Sequence, residues 1–307
     1  IGEANTLTVA VEPSNATVCQ TATNTTFTSS SSSTPLTTIQ WQENNGGGFA
    51  NITDGGIYSG ATTGTLTLSS VTTGMNTYTY RAVFTNINGS VNSASATLTV
   101  DATSVAGTVA SAQTICTGTT PSDLTLSGNT GNVTKWQYAS ASNFASPTDI
   151  SNTTVTLNGT TEISNTVTRY YRAVVTNGVC AAANSSPVLI TVNPNETWIG
   201  ATSTNYSTGS NWCGGSVPAS NSDIIITATG NNPILTSNLT VNNITLNDTL
   251  VLGGYKLTIN GAVSGTNTVL TGSNASSIEY AGSTSTTLTF DQTTDGNILN
   301  PTSGTNS

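Results

Sequence analysis

The sequence predicts an all-β chain: two tandem β-sandwiches followed by a segment of short strands that reads as a β-solenoid or a third sandwich. Three observations carry this. Small apolar and Thr residues alternate over short stretches such as Ala96-Thr97-Leu98-Thr99-Val100, the period of a strand with one buried face. Gly, Asn and Ser clusters interrupt those stretches as turns do, and long Leu/Ala/Glu/Lys stretches are absent. Finally, one set of landmarks built around a Trp and a Tyr occurs twice in order.

Composition bounds the class before any motif is read. The 307 residues suffice for two or three domains, each with its own core. Charged residues make up 6% and hydrophobic residues 35%, whereas disordered chains combine low hydrophobicity with high charge. The net charge is −9 with five basic residues, Arg81, Lys135, Arg169, Arg172 and Lys256. So few cations cannot neutralise a run of phosphates, which argues against nucleic acid and anionic membranes as partners. No apolar run approaches the ~20 residues that a membrane helix needs, so no membrane insertion is expected. Ile1 to Asn5 lack the charged and apolar regions of a signal peptide, and the chain is expected to be a mature or internal fragment.

The same inventory weighs against catalysis. There is no histidine, which removes Ser-His-Asp and Cys-His arrangements and the commonest zinc ligand. The fourteen carboxylates are scattered without a close pair for acid/base work. Asp291 with Asp295 is too sparse a set for calcium, and Gly46-Gly47-Gly48 lacks the Lys-Ser/Thr of a phosphate loop. The expectation is no enzyme, no cofactor and no metal.

The repeat sets the architecture. Cys19, Trp41-Gln42 and Tyr80-Arg81-Ala82-Val83 recur as Cys116, Trp136-Gln137 and Tyr171-Arg172-Ala173-Val174, an interval of about 95 residues that suits a seven-stranded sandwich. Each copy closes with an alternating strand, Ala96 to Asp101 and Val188 to Asn193. The expected domains are 1–102, 103–194 and 195–307. Thr25 to Thr28, Ile39 to Gln42 and the Leu66/Leu68 alternation are expected strands of the first copy. The candidate core residues are Phe27, Trp41, Tyr78 and Tyr80 in the first copy and Leu124, Trp136 and Tyr171 in the second. Arg81 and Arg172 are expected on a sheet face, in packing or a local ion pair.

The run Met75-Asn76-Thr77-Tyr78-Thr79-Tyr80 resembles the immunoglobulin superfamily, and the two sandwiches are read as Ig-like on that basis. The resemblance implies that Tyr78 is the corner tyrosine, that Trp41 fills the core, and that Phe27 and Tyr80 replace the usual inter-sheet disulfide. More narrowly, Asn51-Ile52-Thr53-Asp54-Gly55-Gly56 and Ala173-Val174-Val175-Thr176-Asn177-Gly178-Val179-Cys180 look like Ig-like repeats of large Bacteroidota adhesins of the gliding-motility, type IX-secreted kind. That likeness covers roughly Thr6 to Asn193 and implies an extracellular place on a bacterial cell surface.

Of the four cysteines, Cys116 and Cys180 belong to the same repeat, one before the strand that corresponds to Thr25 to Thr28 of the first copy and one after the strand that carries Tyr171. A sandwich can bring them together, so a Cys116–Cys180 disulfide is expected. The position matching Cys180 in the first copy is Gly89, which leaves Cys19 and Cys213 without partners in their own domains. They read either as small buried hydrophobes or as half of a bond to a neighbouring domain or chain.

From Glu196 the pattern changes. Trp198, Asn211-Trp212-Cys213-Gly214-Gly215, Val217-Pro218 and Asp223-Ile224-Ile225-Ile226 are similar to the opening motif of bacterial surface β-helix domains, which implies a tryptophan-capped turn leading into a first coil. Leu239-x-Val241 recurs as Leu257-x-Ile259, about 18 residues on, close to one solenoid coil. No cap is visible before Ser307, so the natural protein is expected to continue or to pack that end on something else. Asp248-Thr249-Leu250 looks like the short O-glycosylation signal of Bacteroidota envelope proteins, which makes Thr249 a candidate modification site.

Function follows as an extracellular structural and adhesive module of a long surface stalk, stiffened by short linkers at Asp101-Ala102-Thr103 and Asn193-Pro194-Asn195. Its expected partners are neighbouring domains of the same chain, and surface glycans or copies of itself. Two alternatives stand beside it. A carbohydrate-binding accessory of a secreted polysaccharide-degrading system would need exposed aromatics, for which Tyr58, Tyr138, Tyr206 and Tyr255 are the candidates. A self-assembling filament subunit would use strand edges that almost no Lys protects.

Overall fold

A computed structural model describes residues 6–32, 37–227, 230–266, 269–273, 275–281 and 289–290. The described chain is built of strands, with short 3-10 turns at Thr73–Met75 and Gly209–Asn211. It forms two compact units. The first comprises Ile1–Ser111, Leu124–Leu157 and Tyr170–Val188, and the second comprises Ala112–Asp123, Asn158–Arg169 and Leu189–Ser307.

Within the first unit, the first repeat is a two-sheet sandwich. One sheet runs Ala16–Cys19, Ala96–Asp101, Thr79–Asn86, Thr38–Asn44, Phe49–Asn51, and the facing sheet runs Thr25–Thr28, Thr65–Leu68, Tyr58–Ser59. Alternation decides the faces: along Thr79–Asn86 the residues Tyr80, Ala82 and Phe84 are buried while their neighbours are less so, as period-2 strands require. Phe27, Trp41, Leu66, Leu68 and Leu98 complete this core. The Phe27 and Tyr80 rings stack with centroids 4.7 Å apart, one from each sheet. Tyr78 packs against the core while remaining half-buried.

Trp41 shows how a large indole is buried without stranding its N–H. It is fully buried and its Nε1 donates to the Thr63 carbonyl at 2.9 Å. A buried donor left unpaired would cost about 1–3 kcal/mol. The turn that brings Thr63 there needs Gly60, whose φ is +79° and where a Cβ would lie 2.2 Å from the Thr65 carbonyl oxygen. In the second repeat Trp136 is equally buried and donates to the Thr154 carbonyl at 3.0 Å. Leu124 and Tyr171 are also fully buried, and Trp136 lies across from Ala173 in the antiparallel ladder.

In the second unit, Gln113–Cys116 runs parallel to Val188–Asn193. From Thr197 onward the strands form three parallel ladders. One passes through Thr197–Trp198, Ile224–Ile226, Ile244–Leu246 and Val263–Ser264; the second through Leu239–Val241, Lys256–Ile259 and Ser277–Tyr280; the third through Leu250–Val251, Val269–Thr271 and Thr289–Phe290. Leu239 lies beside Leu257, and Leu257 beside Ile278, so the chain returns to the same ladder after about 20 residues, as a solenoid does. Ile224, Ile226, Val241, Ile244, Leu246, Leu257, Ile259 and Ile278 point inward as one aliphatic column. Trp198, Tyr206 and Trp212 close the first coil, with ring centroids 4.9 to 6.4 Å apart.

Candidate functional site

The sites that set this chain apart are the places where one repeat meets the next. Ala16–Cys19 lies parallel to Ala96–Asp101 with Cys19 beside Asp101, so Cys19 stands where the chain leaves the first repeat. Gln20 N donates to the Asp101 carbonyl at 2.7 Å. The turn after the Arg169–Thr176 strand comes to the same place. Val179 N donates to Asp101 Oδ2 at 2.9 Å, Asn177 N to Ser104 Oγ at 2.9 Å, and Asn177 Nδ2 to the Ala102 carbonyl at 2.8 Å. Cys180 closes the turn with its amide on the Asn177 carbonyl and is bonded to Cys19, Cα to Cα 4.8 Å.

The second junction repeats the plan. Cys116 lies beside Asn193 at the end of the parallel ladder, and both Thr117 N and Thr117 Oγ1 donate to the Asn193 carbonyl, at 2.9 and 3.0 Å. Cys213 N donates to the Thr197 carbonyl and Gly214 N to the Asn195 carbonyl, each at 2.9 Å. Cys116 is bonded to Cys213, Cα to Cα 5.2 Å. The loop that delivers Cys213 is organised by Asn211, which is fully buried. Its Oδ1 accepts from Thr202 N, Thr202 Oγ1 and Ser203 N, and its Nδ2 donates to Ser203 Oγ and the Asn205 carbonyl.

These bonds correct the expected Cys116–Cys180 pairing, and of the two readings of Cys19 and Cys213 they overturn the unpaired buried thiol and match the bond to a neighbouring domain. All four cysteines are paired. The physical reason is position along the strands. Cys116 stands beside Asn193, where its repeat ends, while Cys180 stands beside Asp101 and Ala102, where that repeat begins. An eight-residue strand such as Arg169–Thr176 carries the chain about 26 Å, so order relative to the strands does not say at which end a cysteine lies. The available signal was equivalence: Cys19 and Cys116 occupy matching places, and only a bond forward to the next segment treats them alike.

The remaining candidates have local partners. Arg81 Nε donates to Gln42 Oε1 at 2.8 Å with its guanidinium 3.9 Å from the Phe49 ring centroid, and Arg172 repeats this with Gln137 at 2.8 Å and Phe144 at 4.2 Å. Tyr58 and Tyr80 both donate to Glu43 Oε2, and burial, first among the causes, pushes both phenols above their ordinary range. Tyr206 is buried, Tyr58 and Tyr138 are half-buried, and Tyr255 is exposed. Thr249 is half-buried in the turn between Ile244–Leu246 and Leu250–Val251, its amide on Asp248 Oδ1 at 2.7 Å. Asp291 and Asp295 lie outside the described residues. Among the described residues no three metal-ligating side chains converge, and no helix is long and apolar enough to cross a membrane.

A family model described as a domain of unknown function, DUF8696, matches residues 105–194. No curated protein matches the chain. Among solved structures, the I-band fragment I67–I69 of titin is 16% identical with a TM-score of 0.45, the match covering 62% of this chain and 67% of that one. Extracellular domains 3–5 of Drosophila OTK are 18% identical with a TM-score of 0.42, covering 61% and 62%. The tandem Ig repeats of Dlar are 20% identical with a TM-score of 0.27, covering 62% and 100%. At such scores the sandwich assignment rests on this chain's own sheet order.

Proposed function

We propose that the chain is an extracellular structural module of a long bacterial surface protein, a stapled spacer that carries adhesive elements away from the cell. The observation that carries the reading is the use of all four cysteines in two bonds, each joining one repeat to the segment that follows. Such bonds persist only in an oxidising compartment, which supports an extracellular place. The bacterial surface, the adhesin family and its gliding-motility or type IX setting enter through the resemblance of the repeat strings, and the β-helix identity of residues 195–307 through the Trp198 and Asn211-Trp212 motif. Neighbouring domains of the same chain are its proposed partners. Thr249 is a proposed O-glycosylation position, tested by mass spectrometry of its peptide from the native host.

The test is a display experiment. The chain is placed between an outer-membrane anchor and a tip domain that binds an immobilised bait, and cell capture is scored against tip display. A spacer gives capture that requires the chain between anchor and tip and that survives Tyr255→Ala. Capture of a glycan surface by the tipless chain, lost on Tyr255→Ala, would replace the spacer reading with the carbohydrate-binding one.

A further inference from the structure

The two disulfides cross. Cys19–Cys180 closes a covalent loop over residues 20–179 and Cys116–Cys213 closes another over residues 117–212, so each loop contains one cysteine of the other. Tension in a chain follows its shortest covalent route. From Cys19 to Cys213 the backbone alone is the longest route. A second route follows the backbone to Cys116 and crosses the second bond. The third crosses the first bond to Cys180 and needs only about 33 further residues to reach Cys213, which makes it the shortest.

Residues 20–179 contain Trp41, Tyr80, Trp136 and Tyr171, the large buried side chains of both sandwiches. None of these lies on the loaded route. Every hydrogen-bonded ladder in that stretch can open without lengthening the chain, because the bond from Cys19 to Cys180 bypasses it.

We propose that the crossed disulfides form a load-bearing strap: Cys19–Cys180 carries tension past both sandwiches, and Cys116–Cys213 is a slack reserve that becomes taut only when the first bond opens. Two disulfides confined to separate domains would each protect one domain and leave no reserve. The crossed order makes the response to losing one bond unequal, although the bonds are alike in chemistry. This deepens the spacer reading and rests on it for its biological purpose, while the covalent route is a property of the isolated chain.

The experiment is single-molecule stretching of the full oxidised chain by handles at its two ends, with the fully unfolded contour length as readout. Relative to wild type, Cys116→Ser/Cys213→Ser leaves the contour unchanged. Cys19→Ser/Cys180→Ser lengthens it by roughly 64 residues, about 210–230 Å, and complete reduction lengthens it by 161 residues, about 530–580 Å. Folding of the variants is bypassed in a second arm, in which dithiothreitol is added to wild type held at constant force. Extension then rises in a step of roughly 64 residues followed by one of about 97, or in a single step of about 161 when the slack bond is cut first. Equal lengthening by the two double variants, a first step of about 97 residues, or no step on reduction overturns the strap. Failure of the display experiment with these steps intact removes the spacer role and leaves the covalent route standing.

Discussion

Asp101 Oδ2 accepts the backbone amide of Val179 at 2.9 Å, so the residue that ends the first repeat caps a turn in the second. Gly178 makes this approach possible: its φ is +50°, and a Cβ there would lie 1.8 Å from that carboxylate oxygen. Gly178→Ala forces the Asp101 side chain away and holds alanine in a left-handed conformation. A loss of about 2–3 kcal/mol is expected, combining backbone strain with a broken hydrogen bond. In an Asp101→Ala background the collision partner is gone and the same substitution costs about 1–2 kcal/mol. Urea denaturation of the four proteins in this cycle measures the coupling, and equal costs in both backgrounds would show that Asp101 does not confine the turn.

The strand positions of Thr25 to Thr28 and Ile39 to Gln42 follow from period-2 alternation, a local property, while the burial of Trp41 and Trp136 was legible through the repeat and its immunoglobulin resemblance. The return of Leu239 at Leu257 was legible for the same reason, since a parallel coil repeats in sequence. The bond between Cys19 and Cys180 was not, because it spans 161 residues and depends on which end of a sandwich each cysteine occupies. Asn211 belongs to a motif visible in the sequence, but its five side-chain hydrogen bonds come from a loop whose path no alternation encodes.

The Phe27–Tyr80 stack yields a core prediction. Phe27→Ala removes one ring of the pair that bridges the two sheets at 4.7 Å and opens a cavity, for a loss of about 3–5 kcal/mol. Tyr80→Phe keeps the ring and deletes only the hydroxyl that donates to the Glu43 carboxylate at 2.9 Å, for about 1.5–3 kcal/mol. Chemical denaturation followed by tryptophan fluorescence ranks the two. A larger loss from Tyr80→Phe would move the main contribution from the stack to the carboxylate.

At equilibrium, without load, the staples act through the unfolded chain. Cys116–Cys213 closes a loop of 97 residues, for which chain entropy gives about 4–5 kcal/mol. Cys116→Ala/Cys213→Ala is therefore expected to lower the urea midpoint strongly while leaving the force-extended contour unchanged. A variant with an unaltered midpoint would mean that strain in the folded state cancels the entropic gain.

Stability falls with acid in a predictable direction. The hydrogen bond from Lys135, then that from Gln137, holds Asp149 below the ordinary carboxylate range, and hydrogen bonds from the Asn243 side chain and backbone, then Asn242, do the same for Asp223. A folded value below the unfolded one means stabilisation that is present above the unfolded carboxylate range and lost as pH falls through the depressed values. Asp149→Asn and Asp223→Asn should each lower the melting temperature modestly near neutrality and converge with wild type in acid, which flattens the acid limb of the profile. Both carboxylates are exposed, so the flattening is modest, and an unchanged acid limb in the double variant would assign acid sensitivity to other groups.

Asn211 offers the sharpest test of the second junction. It is the buried hub of the loop 202–211, with all its side-chain capacity used on Thr202, Ser203 and Asn205, next to Trp212, whose Nε1 donates to the Tyr206 carbonyl at 2.9 Å. Asn211→Ala leaves several buried donors and acceptors unpaired, at about 1–3 kcal/mol for each that water cannot reach. Asn211→Asp keeps the acceptor side, loses the donors to Ser203 and Asn205, and buries a charge, so it should be no better tolerated. The expected signature is a red shift of Trp198 and Trp212 emission together with faster reduction of Cys116–Cys213, while Cys19–Cys180 reduces at its wild-type rate. Acceleration of both bonds would mean that the loop acts on the whole chain and not on the junction that it builds.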